Sequence, residues 1–244
     1  MKKIVTLVVG LIPVGLLRKV LLNILGHKIS YNSKFGINIL WVKHISLEED
    51  SSIGHFNFIA NKLVRLEKKA FIKNFNYFRG PFDVYIGNES GISNNNKFRR
   101  AKYPISVGDS SLQLGKNSFI VSGHFVDLTR AVSFGDNSIL AGIRSQIWTH
   151  GYYHANDGSD RVRIDGDVVI GNNVYIGSSC IFNPGIKVLD AIHIGAGSVI
   201  SKNLEESGMY VGQGLRFVSK NIDDIKSKLH KVEDENLVED VYYK

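Results

Sequence analysis

Between residues 168 and 203 the chain reads VVIGNNVYIGSSCIFNPGIKVLDAIHIGAGSVISKN, and an apolar side chain returns at every sixth position: Ile170, Ile176, Phe182, Val188, Ile194 and Ile200. Small or turn-forming residues follow each of the first five by three positions, at Asn173, Ser179, Gly185, Ala191 and Gly197. A period of six is neither the 3.6-residue helix nor an extended two-residue alternation. It predicts short parallel strands stacked as a β-helix, with three beats closing one triangular coil. The branched residue of each beat points into the prism, while Gly, Asn and Ser tolerate the corners. Less regular beats run upstream through Val107, Leu114, Ile120, Val126, Phe134 and Leu140, and SSIGHFNFIA and VYIGNESGIS read as earlier coils. The rhythm breaks at IWTHGYYHANDGSDRVRIDG, residues 147–166, where a polar loop over 151–166 leaves the column directly after a Thr-His pair.

Stacked coils bury their apolar residues only against one another, so both ends of the column need covers. The chain opens MKKIVTLVVGLIPVGLLRKVLLNILGH. Its apolar run from Ile4 to Leu17 contains Pro13 and falls short of the ~18 to 20 residues that span a bilayer. No small-residue cleavage site follows it. Leu16, Val20 and Ile24, with Leu17, Leu21 and Leu25, recur every four residues around Arg18 and Lys19, which predicts an amphipathic helix. Two roles fit that helix, a cap on the column and an anchor at a membrane surface. The stretch NIDDIKSKLHKVEDENLVEDVYYK predicts a charged helical tail at the other end. The expected organisation is a helical cap over 1–30, an all-β parallel β-helix over 31–218 and the tail over 219–244.

A chain of 244 residues with 43% apolar and 22% charged residues buries a real core and is not disordered. The formal charge of +7 favours an acidic partner. The basic residues look scattered, with no compact Arg/Lys-aromatic block, so no nucleic-acid partner is expected. Cys180 is the single cysteine, which rules out an intrachain disulfide and a cysteine metal site and fits a reducing, cytoplasmic compartment. It falls on the beat shared by Val174, Ile186 and Ile192, and reads as a small core residue.

Three of the eight histidines, His124, His150 and His154, lie on or beside the interruption or the coil before it. From about Ile53 to Arg216, and most closely in VSFGDNSILAGIRSQIWTH, IGNNVYIGSSCIFNPGIKV and IGAGSVISK, the chain resembles the hexapeptide-repeat acyltransferases. It is most similar to those that O-acetylate sugars, including galactoside and maltose acetyltransferases and enzymes of bacterial surface-polysaccharide synthesis. The resemblance implies a left-handed winding and a homotrimer with the donor groove between columns. It also implies acetyl-CoA as donor and a sugar, nucleotide-sugar or lipid-linked saccharide as acceptor.

In the family the general base is a histidine at the end of a coil beside an acceptor loop, and His150 in WTHG matches it. A sugar hydroxyl is a poor nucleophile near neutral pH, and histidine suits the task of taking its proton. Asp127, in SGHFVDLT, approximately matches an acidic residue facing the acceptor. It orients His150, binds the sugar or caps its own turn. Trp148, His124 and His154 are expected to contact the acceptor. Family positions for the donor correspond to Gly177, Gly195, Ala196, Ser201 and Lys202, with Arg216 after the last coil. Gly214 stands where many relatives carry a proline, which loosens the match at Arg216. No metal is expected. Alternatives on the same column are amino-sugar N-acetylation, a zinc enzyme of the γ-carbonic anhydrase type using the three histidines, and a non-catalytic scaffold.

Overall fold

Each beat of the repeat forms a strand of two to four residues, and in the late coils Tyr175–Ile176, Ile181–Phe182 and Lys187–Val188 follow one another around three sides of a prism. The structure, a computed structural model, describes residues 1–212, 222–234, 236–237 and 240–244. Among the described residues the coil strands gather into three parallel sheets of eight, nine and eight strands. The winding is a left-handed parallel β-helix. Inward residues are apolar and almost fully buried on all three sides, as at Ile170, Ile176 and Phe182. Stacked coils lie about 4.8 Å apart, so each inward side chain packs on its counterparts above and below.

Corners are held by columns of small polar side chains. Asn38, Asn57, Asn76 and Asn96 stack at one edge, each Oδ1 accepting the backbone N–H of the residue one coil on. The last of these N–H groups belongs to His124, whose Nδ1 in turn accepts the N–H of Ser145, and Ser145 Oγ accepts that of Cys180. At another edge Ser90, Ser118 and Ser138 repeat the device with hydroxyls. Backbone donors that a tight corner would otherwise strand in the interior are thereby satisfied. Gly135 shows how little space a corner leaves, since an added Cβ would lie 2.5 Å from Asn172 Oδ1.

Val169 pairs with Lys187 eighteen residues on, three regular beats. Upstream coils are longer, and most of their extra residues enter at the edge where the third sheet leads back to the first. There the beat residue Phe78 is followed by Ile86, Phe98 by Leu114 and Ile147 by Ile170, with Val84, Leu112 and Val168 also buried in the same strands. Val107 is therefore not a core beat. It sits in an excursion between Phe98 and Leu112, pinned by Arg100, whose guanidinium donates to the carbonyls of Pro81, Val107 and Gly108.

The leading segment forms two helices, Lys2–Gly10 and Gly15–Ile24, separated at Pro13, which cannot extend the first. They cover the first coil through Val9 and Leu22, both buried. The column begins directly after them, at Lys28–Ile29. Two expectations need correction. The segment after His150 is not an irregular loop: His150–His154 and Arg161–Asp165 form an antiparallel hairpin. The described part of the tail contains one short helix, Ile222–Lys226, and two short strands, His230–Lys231 and Val241–Tyr243. Its strand Val241–Tyr243 pairs with Arg161–Asp165, because Val241 and Tyr242 find burial beside the hairpin.

Candidate active site

Asp127 ends the strand Phe125–Asp127, and His150 starts the hairpin one coil later. The Asp127 side chain is almost fully buried, and its Oδ2 lies 2.8 Å from His150 Nδ1. The same oxygen accepts Thr149 Oγ1 at 2.6 Å and Thr149 N–H at 3.1 Å, while Oδ1 accepts Thr129 Oγ1 at 3.0 Å and Thr129 N–H at 3.3 Å. Burial pushes the Asp127 carboxyl up, but the hydrogen bond and charge of His150 and the hydroxyls of Thr149 and Thr129 outweigh it and hold the group below its ordinary value. An ionised carboxylate only accepts, so Nδ1 of His150 carries the hydrogen and Nε2 of the neutral ring keeps its lone pair. The His150 side chain is 28% exposed, so a hydroxyl can reach that ring. Asp127 thus caps its own turn and orients the histidine at once.

Aromatic rings flank the imidazole. Trp148 and Tyr152 stand edge-on to it, with centroids 6.1 and 6.2 Å away, and Phe125 packs on Trp148 at 4.9 Å. His154 lies one further step along the hairpin, 6.3 Å from Tyr152. The hairpin itself is braced from behind. Arg163 and Asp165 form an ion pair at 2.9 Å, both buried, and Arg163 also donates to the carbonyl of Ile105 in the upstream excursion. Burial raises the Asp165 carboxyl despite the adjacent Arg163. Arg130 stacks on the Tyr243 ring at 4.3 Å and donates to its hydroxyl. The excursion, the hairpin and the C-terminal strand therefore converge behind His150.

The expected residues divide between three places. His150, Asp127, Trp148 and His154 come together at one edge of the third sheet. Ser201 and Lys202 are exposed at the same edge, two coils beyond Trp148, which places them about 10 Å along the column. Gly177, Gly195 and Ala196 lie at the opposite edge of that sheet, where Gly177 packs under Ala196. Arg216 lies outside the described residues. His124 faces no acceptor: it is 1% exposed, built into the asparagine column, and burial drops its pKa to about 4 against a smaller opposing effect of the Gly142 backbone. Thr129, Thr149, Tyr152 and the Arg163–Asp165 pair escaped sequence reasoning. The Asp-x-Thr spacing of 127–129 was the available signal for Thr129.

Cys180 is buried at the end of the His124 column, as a core residue should be. Among the described residues no three histidine, cysteine or acidic side chains converge as metal ligands. His124 is walled in, and His154 lies beyond the Tyr152 ring from His150.

No family model matches the sequence. Among curated proteins it is 29% identical over 113 residues to a probable macrolide acetyltransferase of Lysinibacillus sphaericus, covering 44% of this chain and 63% of that one. It is also 29% identical over 115 residues to the galactoside O-acetyltransferase of Escherichia coli K12, covering 45% and 54%. The chain thus spans less than two thirds of the length of either relative. Among solved structures the polySia specific acetyltransferase NeuO superposes with a TM-score of 0.51 at 18% identity, covering 80% of this chain and 87% of that one. A left-handed parallel column of six-residue beats is the fold of hexapeptide-repeat acyltransferases. In its fold and in the matched segments the chain is similar to those enzymes.

Proposed function

We propose that this protein is an acetyl-CoA-dependent O-acetyltransferase that modifies a sugar hydroxyl in bacterial surface-polysaccharide synthesis, with His150 as general base. The supporting observation is the Asp127–His150 pair at 2.8 Å on an exposed edge of the column. Nε2 takes the proton of the acceptor hydroxyl as its oxygen attacks the thioester carbonyl. When the tetrahedral intermediate collapses, the carbon–sulfur bond breaks and the imidazolium returns the proton to the departing thiolate. Asp127 holds the tautomer and stabilises the transient imidazolium, while Trp148, Tyr152 and His154 offer ring faces and polar edges to a sugar. An amino-sugar nitrogen fits the same base.

The donor side supports a homotrimer. Within one chain Gly177, Gly195 and Ala196 stand across the third sheet from Ser201 and Lys202, so a single coenzyme arm lying in a cleft between two columns draws one group from each. Lys202 serves the phosphates. The galactoside relative favours a carbohydrate acceptor, and use of acetyl-CoA fits a cytoplasmic reaction. The test is thiol release from acetyl-CoA against a panel of sugars and sugar nucleotides. Activity with one acceptor class and its loss in His150→Ala is the expected result; a fully active His150→Ala protein removes the base assignment.

A further inference from the structure

The excess of 30 basic over 23 acidic residues is not spread along the chain. No Asp or Glu precedes Glu48, whereas Lys2, Lys3, Arg18, Lys19, Lys28, Lys34 and Lys43 do, so the whole net charge of +7 resides in the first 47 residues and the remainder is neutral. Arg18 is buried and donates to the carbonyls of Ile12 and Phe35, holding the two helices to the column. Their outer side is apolar: Ile4, Val8, Val14, Leu16 and Ile24 are each more than half exposed. Around the first coil, Lys28 in the first sheet, Lys34 in the second and Lys43 after the third strand are all exposed, one near each side of the prism. Tyr31 and Trp41 are 61% and 43% exposed on the same coil. No helix among the described residues is long and apolar enough to cross a membrane.

We infer that the helical base of the column is a docking surface for an anionic lipid bilayer. An apolar patch with a cationic rim, the first acids Glu48 and Glu49 lying one coil further on, complements lipid tails below negative headgroups, and Tyr and Trp at the rim occupy the interfacial depth these residues favour. A second copy of the chain, presenting the same cations, would be repelled. Docking by the base stands the column upright. The third-sheet strands run from Ile39–Leu40 to Gln146–Ile147 in five spacings, about 24 Å. The helices add a layer about 10 Å thick. Resting on the transfer reaction proposed above, this height directs His150 to a sugar held well out from the membrane on a lipid-linked chain. In a trimer with parallel axes, three bases would meet one bilayer and reinforce one another.

The docking test is independent of catalysis. The full chain is sedimented with sucrose-loaded vesicles of phosphatidylcholine alone or of equimolar phosphatidylcholine and phosphatidylglycerol. Binding is expected to the anionic vesicles and to weaken as salt is raised. Val8→Glu with Leu16→Glu should reduce it at least ~10-fold with an unchanged melting temperature, since both side chains already face out. Each of Lys28→Gln, Lys34→Gln and Lys43→Gln should cost about fivefold. The inference is overturned if the parent ignores anionic vesicles, or if binding survives both sets of changes. It is equally overturned if the apolar patch instead drives self-association without vesicle binding.

Discussion

His124 and His150 lie one coil apart on the same column and have opposite fates. His124 occupies a corner that lower coils fill with asparagine; its Nδ1 does what an asparagine oxygen does there, accepting a backbone N–H from the next coil. Burial keeps it neutral. His150 stands at the edge where the chain leaves the column, its side chain is 28% exposed, and its Nδ1 donates to a buried carboxylate instead of accepting a backbone donor. The difference lies in what happens to the chain after each histidine. Continuation of the coil makes His124 a structural spacer, and departure leaves His150 partly exposed against a carboxylate, as the proposed base requires.

The sharpest way to break the comparison is to exchange the two side chains' losses. His150→Ala should reduce turnover at least ~10²-fold, the lower range for a positioned base, with the melting temperature unchanged. Asp127→Asn should follow with a ~10- to 10²-fold loss, because an amide no longer selects the Nδ1–H tautomer. It should also lose roughly 1–3 kcal/mol of stability as buried Thr donors lose a charged acceptor, measured by urea unfolding beside the kinetics. His124→Asn, by contrast, should leave turnover within about twofold, and a large loss there would return His124 to the site.

The same pair separates on pH. His124 and His27 are both pushed down to about 4, His124 by burial and His27 by burial and then by Lys2 and His44. Each accepts a backbone N–H at Nδ1, an arrangement that protonation there destroys. A histidine whose folded pKa lies below its unfolded one binds protons preferentially when unfolded. Stability should thus hold above the unfolded value near 6.5 and fall as pH drops toward 4, by on the order of 3 kcal/mol for each ring. Unfolding measured from pH 7 to 4 checks this, and His124→Asn should flatten the slope. The smallest effect is expected at Tyr243→Ala, which removes the Arg130 stack behind the hairpin. It should cost about 1 kcal/mol and raise the acceptor KM a few-fold; an unchanged KM would show that the hairpin holds its place without the C-terminal strand.

Legibility of the fold tracked regularity. The late coils keep six-residue beats, so Ile170 to Ile200 could be placed inside the prism from spacing alone. Upstream, the extra residues between Phe78 and Ile86 and between Phe98 and Leu114 shift the phase, and Val107 was assigned a beat it does not occupy. His150 could be singled out because the break in rhythm and the family resemblance of WTHG marked it, and Asp127 through the resemblance of SGHFVDLT alone. The environment of His124 was not, since burial at a corner depends on the coil above, 21 residues away at Ser145. Nor was the tail: its composition suggested a charged helical cap, whereas Val241 and Tyr242 bury themselves in a sheet with residues some eighty positions earlier.

After the hairpin, Val168 takes its place opposite Val132 as if nothing had intervened. The frame therefore does not register how many residues were spent outside it. A longer, shorter or unrelated segment spliced between His150 and Val168 would leave the neighbouring strands aligned, so this scaffold can acquire a new taste in acceptors by graft, without relearning how to fold.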